Sequence, residues 1–526
     1  MSIYRIGIDV GGTHTDAVLL DENNQVISET KSPTTEDVAT GIYTAMKKII
    51  GDASVPREQI KYAMLGTTHC TNAIVERKRL NNIAAIRIGA PATTAVKPLV
   101  GVPDDLREAL GTHIYLVRGG HEFNGREIVS LDEEHLYQIA EEIKGKVDSV
   151  AITSVFSPVS QAHETRASEI IREVLGENVA VSLSSEIGSV GLLERENATI
   201  INAAVVNVAK TAADGFIQAL NNEGINARVF FGQNDGTLMS VEYAVKYPIF
   251  TIACGPTNSL RGASYLTKSS NAIVVDVGGT TSDVGVLIQS FPRESSLAVE
   301  IGGARTNFRM PDLISIGLGG GTIVRIQENG DFTIGPDSVG YRLPEKALIF
   351  GGDTLTTTDV AVALGKVNLG ESSKVSHLDK DLLNKVYVKM VEMVEEAIDK
   401  MKTSAEDVPV ILVGGGSILL PEQLKGASEV IRPRHSGVAN AIGAAISQVS
   451  GQVERIYKLD EFGRDTALEM AKDEAKEEAI KAGADPDNLV IVDIEDVPLA
   501  YLPGNATRIR VKAAGELSQF KVKETI

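Results

Sequence analysis

The chain has 526 residues, 43% of them hydrophobic and 23% charged, with no tryptophan and a formal net charge of −19. That acidic balance repels polyanions and argues against nucleic-acid or anionic-membrane partners, while the length allows about three domains. Two cysteines, Cys70 and Cys254, are too few for a disulfide framework and lie in no CxxC or Cys/His cluster that could hold zinc or an iron–sulfur centre.

The start, MSIYRIGIDV, runs directly into an alternating apolar strand pattern, with no basic n-region, apolar h-region or small-residue cleavage site. No stretch approaches the roughly 20 uninterrupted apolar residues of a membrane helix. A soluble, cytoplasmic chain is expected. Segments 3–10, 14–20 and 25–31 are β-rich, and DENN at 21–24 supplies turn chemistry, so a meander of hairpins opens the fold. From about Glu36 to Ile50, the apolar residues Val38, Ile42, Ala45, Met46 and Ile49 recur at helical spacing, and Gly51 stands where a C-cap glycine belongs. KYAMLGTTH then reads as strand and turn, TNAIVERKR as helix and NNIAAIRIG as strand, a mixture of antiparallel meander and parallel crossovers.

Around residues 180–192 the pattern restarts, and a helix carrying Ile200, Ile201, Ala204, Val205 and Val208 runs toward Phe216. This marks the passage into a second lobe. A further strand–turn–strand unit follows Ile273, and a long amphipathic helix covers roughly 380–402. Beyond 450, ALEMAKDEAKEEAIKAG reads as a charged helix with a solvated face, followed by the strand-like LVIVDIEDV and TRIRVKAAG. The expected division is a first lobe at 1–185, a second at 186–450 and a small α+β appendage at 451–526.

The strongest feature is an internal echo, IGIDVGGTHTDAVLL at 6–20 against IVVDVGGTTSDVGVL at 273–287. Gly11, Gly12, Gly278 and Gly279 permit tight turns and let phosphate oxygens approach backbone N–H groups that a Cβ would shield. Thr13 and Thr280 can add hydroxyl donors. Asp9 and Asp276, at the ends of their strands, place carboxylates where they can hold Mg²⁺. Either copy alone is explained equally well as a tight hairpin; two facing copies would clamp a polyphosphate. A third element, VPVILVGGGSILLP at 408–421, ends in Gly414, Gly415, Gly416 and Ser417, a turn able to lie flat against a base and ribose. ISIGLGGGT at 314–322 suits close backbone packing or ligand contact equally. No GxxxxGK[ST] and no well-placed GxGxxG is present, which leaves P-loop and Rossmann readings unsupported.

These three elements, in this order, resemble the acetate and sugar kinase, heat-shock chaperone and actin superfamily. Within it the detail resembles the hydantoinase A/5-oxoprolinase family. GIDVGGTHTD is similar to that family's GIDVGGTFTD, with His14 in place of Phe, and GTTHCTNAIVERK at 66–78 to its GTTxxTNAxLERK block. ERENATIINA at 194–203 resembles its ERxSTTVxNA helix, CGPTNSLRGA at 254–263 its SGPAGGVxGA, and TLTTTDVAVALGK at 354–366 its LTVTDANxxLG. Thr257, Asn258 and Arg261 are bulkier than the family's turn residues at those places.

The resemblance implies a two-lobed, actin-like α/β fold of duplicated ribonuclease H-like type, with Mg²⁺ and ATP as cofactors. It implies an ATP-dependent opening of a small cyclic amide, a hydantoin or a lactam such as 5-oxoproline, through phosphorylation of the amide oxygen. It also implies a separate hydantoinase B-like second subunit, and it is compatible with a homo-oligomer. The superfamily places a polar residue on the interlobe segment as base or water-orienting group; Glu194 is the candidate, a surface ion pair with Arg195 being the alternative. Thr67, Thr68 and Asn72 form a candidate substrate-side wall, although Thr68 could equally cap the following helix. Asn202 could meet substrate or serve packing. His14, His69 and His435 read as turn residues or as ligand contacts. Two other functions share these motifs: a small-molecule kinase or acetone carboxylase-like subunit, and a non-enzymatic ATP-driven switch.

Overall fold

The structure is a computed structural model that describes residues 3–34, 38–188, 190–295, 299–308, 310–500, 502 and 504–517. Two of its sheets are built on the same device. Tyr4–Val10 pairs antiparallel with His14–Leu20 and parallel with Ile60–Thr67. Ala272–Val277 pairs antiparallel with Ser282–Ile288 and parallel with Val408–Val413. The neighbours repeat and so does the register, with Asp9 opposite Asp16 and Asp276 opposite Asp283. The echo in the sequence is therefore a duplication of structure, and the two-lobed, actin-like α/β architecture is the one observed.

Among the described residues the first sheet has nine strands and the second six. The first runs from Val26–Pro33 at one edge through the N-terminal hairpin and Ile60–Thr67 to Arg228–Gly232 and Leu238–Ser240. It then continues through Val449–Lys458 and Ala506–Leu517 to Ala484–Pro498 at the other edge. The predicted helix after the meander spans Val38–Ala53, its expected start at Glu36 lying outside the described residues, and the predicted 380–402 helix spans Lys380–Met401.

The structure draws the domain boundaries differently from the sequence reading in three places. The NNIAAIRIG strand, Ile83–Ala90, does not continue the first sheet. It opens a separate parallel sheet with His113–Arg118, Ser149–Ser154 and Ala180–Leu183, covered by the helices Glu133–Ile143 and Ala162–Leu175 around a core of its own. Residues 228–240 belong to the first sheet, not to the second lobe. The segment after 450 is no appendage, because its strands extend that same sheet and share its core. The helix Arg464–Lys481 does expose its charges, but Ala467, Ala471, Ala475 and Ala479 are fully buried against the strands. An alanine every four residues gives a narrow stripe of methyl groups on one face, enough for close helix-on-sheet packing.

Among the described residues one helix, Leu192–Asn222, is long and apolar enough to cross a bilayer by length and composition, but more than half of its apolar window is buried within the fold. Its apolar residues up to Ala209 pack against the inserted unit, and Ala213, Phe216, Ala219 and Leu220 join the core of the first sheet. Near its start, Glu196 accepts two bonds from the buried Arg87 guanidinium, at 2.5 and 2.6 Å. A second contact matters more for the site. The helices Cys254–Thr267 and Ala439–Ile446 cross where Gly443 meets Asn258, and a Cβ on Gly443 would stand 2.7 Å from the Asn258 carbonyl carbon. Glycine there lets the two helices converge behind the first hairpin.

The alanine stripe is sensitive to overpacking. Ala475→Leu should lower stability by about 1–3 kcal/mol in chemical denaturation, whereas Glu477→Leu, on the exposed face of the same helix, should change it by less than about 0.5 kcal/mol.

Candidate nucleotide site

The two hairpin turns face one another across a cleft of about 690 Å³. Each turn is closed by the same bond, Gly11 N–H to the His14 carbonyl and Gly278 N–H to the Thr281 carbonyl, both 2.9 Å. Their tips touch: a Cβ built on Gly279 would lie 2.9 Å from Thr13 Oγ1. Gly11, Gly12, Thr13, Gly278, Gly279 and Thr280 all line the cleft. The glycine-rich run at 314–322 packs backbone to backbone along the second turn, with Gly320 and Gly321 N–H groups donating to the Gly278 and Gly279 carbonyls at 3.0 and 2.7 Å. Gly320 also reaches the cleft wall.

Four carboxylates converge here: Asp9, Asp16, Asp276 and Asp283. Burial, then the Asp16 charge, pushes Asp9 up to about 6, against the pull of its bonds from Asn258 and Asn440. Burial and the Asp276 charge push Asp283 up to about 6. Asp276 is also raised, again chiefly by burial, with the Ser259 bond opposing. The bracing is specific. Asn258 Nδ2 donates to Asp9 Oδ1 at 3.3 Å, while the next residue, Ser259, donates to Asp276 Oδ2 at 2.5 Å. Asn440 Nδ2 donates to both Asp9 Oδ2 and Asp16 Oδ2, each at 2.9 Å. Lys31 Nζ meets both oxygens of Asp16, at 2.7 and 2.8 Å. Gly255 and Pro256, in the first turn of the Cys254–Thr267 helix, also line the cleft, so the positive end of that helix dipole adds to the attraction for anions.

Gly414, Gly415 and Gly416 form the wall beside the second hairpin. Gly414 has φ +83°, and a Cβ there would collide with the Asp276 carboxylate and the Val277 carbonyl. Ile418, Leu419, Leu369 and Tyr341 supply an apolar rim next to this turn. Ser417 is buried behind it, its carbonyl accepting a bond from Arg432 at 3.1 Å, and is not part of the lining.

The substrate-side candidates divide. Thr68 lines the cleft, and its hydroxyl donates to the Val10 carbonyl at 3.3 Å instead of capping the following helix. Asn72 bonds to that hydroxyl at 3.4 Å. Thr67 is buried behind, its N–H donating to Cys254 Sγ at 3.4 Å and its hydroxyl against His69. Asn202 is fully buried and serves packing: it donates to Ser182 Oγ and the Lys246 carbonyl and accepts from Ile249 N–H. Glu194 stands in the first turn of the Leu192–Asn222 helix, beside Gly191, and does not line the cleft. The geometry therefore gives the base role assigned to Glu194 no support. Its helix runs through the core between the first sheet and the inserted unit, away from the hairpins. Of the histidines, His14 lines the cleft with Nδ1 3.1 Å from Thr13 Oγ1. His69 is pushed down to about 4 by burial and by Arg79, and His435 bonds to Glu29.

The sequence reading missed Asp16, Asp283, Lys31, Asn258, Ser259 and Asn440. A signal existed for three of them. The echo contains both second aspartates, and an antiparallel register counted outward from the turn places them opposite Asp9 and Asp276. The same counting on the next strand sets Lys31 opposite Asp16. Elsewhere, His121, Glu127 and His163 cluster in the inserted unit, but His163 accepts the Gly120 N–H at Nδ1, 2.9 Å away, and faces Glu127 through Nε2. Both its ring nitrogens are thus committed.

Residues 5–175 match the hydantoinase/oxoprolinase N-terminal region, and residues 195–373 match hydantoinase/oxoprolinase. An uncharacterized protein of Methanocaldococcus jannaschii is 29% identical over 428 residues, covering 76% of this chain and 62% of that protein. The acetophenone carboxylase gamma subunit of Aromatoleum aromaticum is 28% identical over 411 residues, covering 70% of this chain and 54% of the subunit. The chain thus spans between about half and two thirds of the length of these relatives. The crystal structure of the ATP-dependent caprolactamase from Pseudomonas jessenii shares the fold, with a TM-score of 0.77 over 98% of this chain and 88% of that one at 19% identity.

The raised carboxyls carry a sign. A folded-state value near 6 against an ordinary 3.8 means that Asp283 costs stability as pH rises through that interval, and the full cost remains above it. Metal-free Asp283→Asn should therefore be more stable than wild type at pH 7.5, by on the order of 2 kcal/mol, with the gap closing below about pH 4; thermal unfolding at the two pH values measures it.

Proposed function

Since the chain belongs to the hydantoinase/oxoprolinase family, we propose that it binds Mg·ATP between its lobes and uses the γ-phosphoryl group to activate the carbonyl of a small molecule, with cyclic amides as the substrate class. The observation that carries this reading is the pair of hairpins sharing one cleft, each with an aspartate pair behind its turn, Asp9 and Asp16 buried and Asp276 and Asp283 half-buried. Four carboxylates facing one lysine are a site that asks for a cation, and all-oxygen donors suit Mg²⁺. Asp9 and Asp276 would hold it, directly or through water. The bound ion would neutralise phosphate charge and orient the phosphates.

The chain's own groups do the rest. Backbone N–H groups at Gly11, Gly12, Gly278 and Gly279 can bind phosphate oxygens, Thr13 and Thr280 can donate hydroxyl bonds, and Gly414–Gly416 with the apolar rim suit the nucleoside. In such a site the work is positioning and charge neutralisation. The amide oxygen attacks the γ-phosphorus as the bond to the ADP oxygen breaks. The resulting O-phosphorylated amide is a far better electrophile than the amide itself. Addition of water at its carbon, followed by scission of the ring C–N bond with a proton passing to the departing nitrogen, leaves an acyl phosphate and the free amine, and a second water hydrolyses the acyl phosphate to carboxylate and phosphate. A second reading is favoured by the likeness to acetophenone carboxylase. The same site would then phosphorylate the oxygen of an enolised ketone, preparing it for carboxylation on another subunit. That relative is named as one subunit of an assembly, which supports a separate second subunit here.

Asp9→Asn and Asp276→Asn should each lower Mg·ATP hydrolysis by about a hundredfold or more while leaving the circular-dichroism spectrum unchanged; full turnover in either variant refutes the phosphate clamp. Assaying hydantoin, 5-oxoproline, caprolactam and acetophenone for stimulated ATP hydrolysis, with and without the second subunit, separates the amide reading from the ketone one.

A further inference from the structure

We infer that Lys31 and the divalent metal compete for Asp16, and that Lys31 passes to the nucleotide phosphates when the metal enters the cleft. The inference rests on the reading of the cleft as a Mg·ATP site and gives one residue a role in it.

Lys31 is the only lysine or arginine among the described residues lining the cleft, where it faces four aspartates. It lies on the edge strand Val26–Pro33, directly opposite Asp16 in register. Its ammonium makes three bonds: two to the Asp16 carboxylate and one, at 3.2 Å, to the Gly437 carbonyl just ahead of the Ala439–Ile446 helix. In this arrangement it does what a metal would do, setting positive charge against the acidic group.

The Asp16 carboxylate cannot serve two cations equally. Asn440 holds Asp9 and Asp16 through a single amide nitrogen, so their Oδ2 atoms converge on one point. A divalent ion drawn to Asp9 thereby comes under the field of Asp16 as well, and at such separations an ammonium and a divalent cation repel strongly. Lys31 has room to yield. Its side chain is 32% exposed while that of Asp16 is 4% exposed, and the four-carbon stem of a lysine is flexible. The stem runs along Gly415, where a Cβ would lie 3.1 Å from Lys31 Cε. A swing along that turn carries the ammonium from Asp16 toward Gly414–Gly416, inside the cleft. A triphosphate arriving there brings the counter-charge that the displaced ammonium lacks. Lys31 thus shields the acids when the cleft is empty and joins the phosphates when it is filled.

Competition predicts effects of opposite sign, which damage to the site does not. Manganese binding without nucleotide, followed by electron paramagnetic resonance, should tighten in Lys31→Met by several-fold. Mg·ATP binding, measured by titration calorimetry, should weaken by about tenfold, and adenosine binding should hold. Lys31→Arg, which keeps the charge, should leave manganese affinity near that of wild type. Weaker or unchanged manganese binding in Lys31→Met overturns the inference, as does unchanged Mg·ATP affinity. If Lys31→Met fails to fold, Lys31→Ala and Lys31→Gln carry the same two measurements. Wild-type protein that binds neither manganese nor Mg·ATP refutes the nucleotide-site reading itself, a result distinct from failure of the Lys31 exchange.

Discussion

Four carboxylates gathered in one cleft, two of them buried and two half-buried, set the terms for much of the surrounding structure. Buried like charges raise one another's proton affinity and cost stability at neutral pH, so each must be braced or screened. The braces come from three separate elements: Asn258 and Ser259 from one helix, Asn440 from another, Lys31 from an edge strand. The two asparagines reach Asp9 together because those helices approach closely behind the first hairpin, and the approach is bought by a glycine at the crossing, Gly443. A stable core would not assemble such a set unaided. The raised proton affinities of Asp9 and Asp283 mark a site whose shape suits a partner of opposite charge.

Duplication explains why the cleft has two nearly equivalent walls. In each lobe a strand ending in aspartate turns through two glycines and returns with a second aspartate opposite the first. The lobes differ in what surrounds that device. The first sheet is enlarged by strands from the middle and the end of the chain, and the inserted parallel unit stands apart with its own core. The second carries the Gly414–Gly416 turn and the apolar rim. Charge is thus supplied by both walls, while the surface suited to a nucleoside belongs to one.

The hairpins, the two-lobed fold and the third glycine turn were legible in the sequence because each is a local pattern: an apolar strand, a turn that requires glycine, another strand. Asp16 and Asp283 were within reach of the same reasoning, since an antiparallel register can be counted from the turn. Asn258 and Asn440 were not. They meet Asp9 across 249 and 431 residues of chain, and nothing local distinguishes them from other buried amides. Sheet membership was equally hidden. The strand Ile83–Ala90 was read correctly as a strand, but an apolar parallel strand looks alike in whichever sheet it joins. The tail misled for a different reason, because alanine contributes little to a hydrophobic pattern although it packs well.

The strand order of the first sheet carries a consequence for biosynthesis. Its N-terminal strands leave the ribosome first and Leu238–Ser240 follows, yet the neighbour of that strand, Val449–Lys458, is made roughly 200 residues later. At about 5–20 residues per second, the sheet waits on the order of ten to forty seconds with an unpaired inner edge. Ile6, Phe230 and Ile509 share one core, so the first lobe cannot close early, whereas the inserted unit at 83–183 has all its strands in hand by then. Strand order therefore sets a folded insertion beside a half-built lobe, whose inner edge stays unpaired until the C-terminal strands emerge.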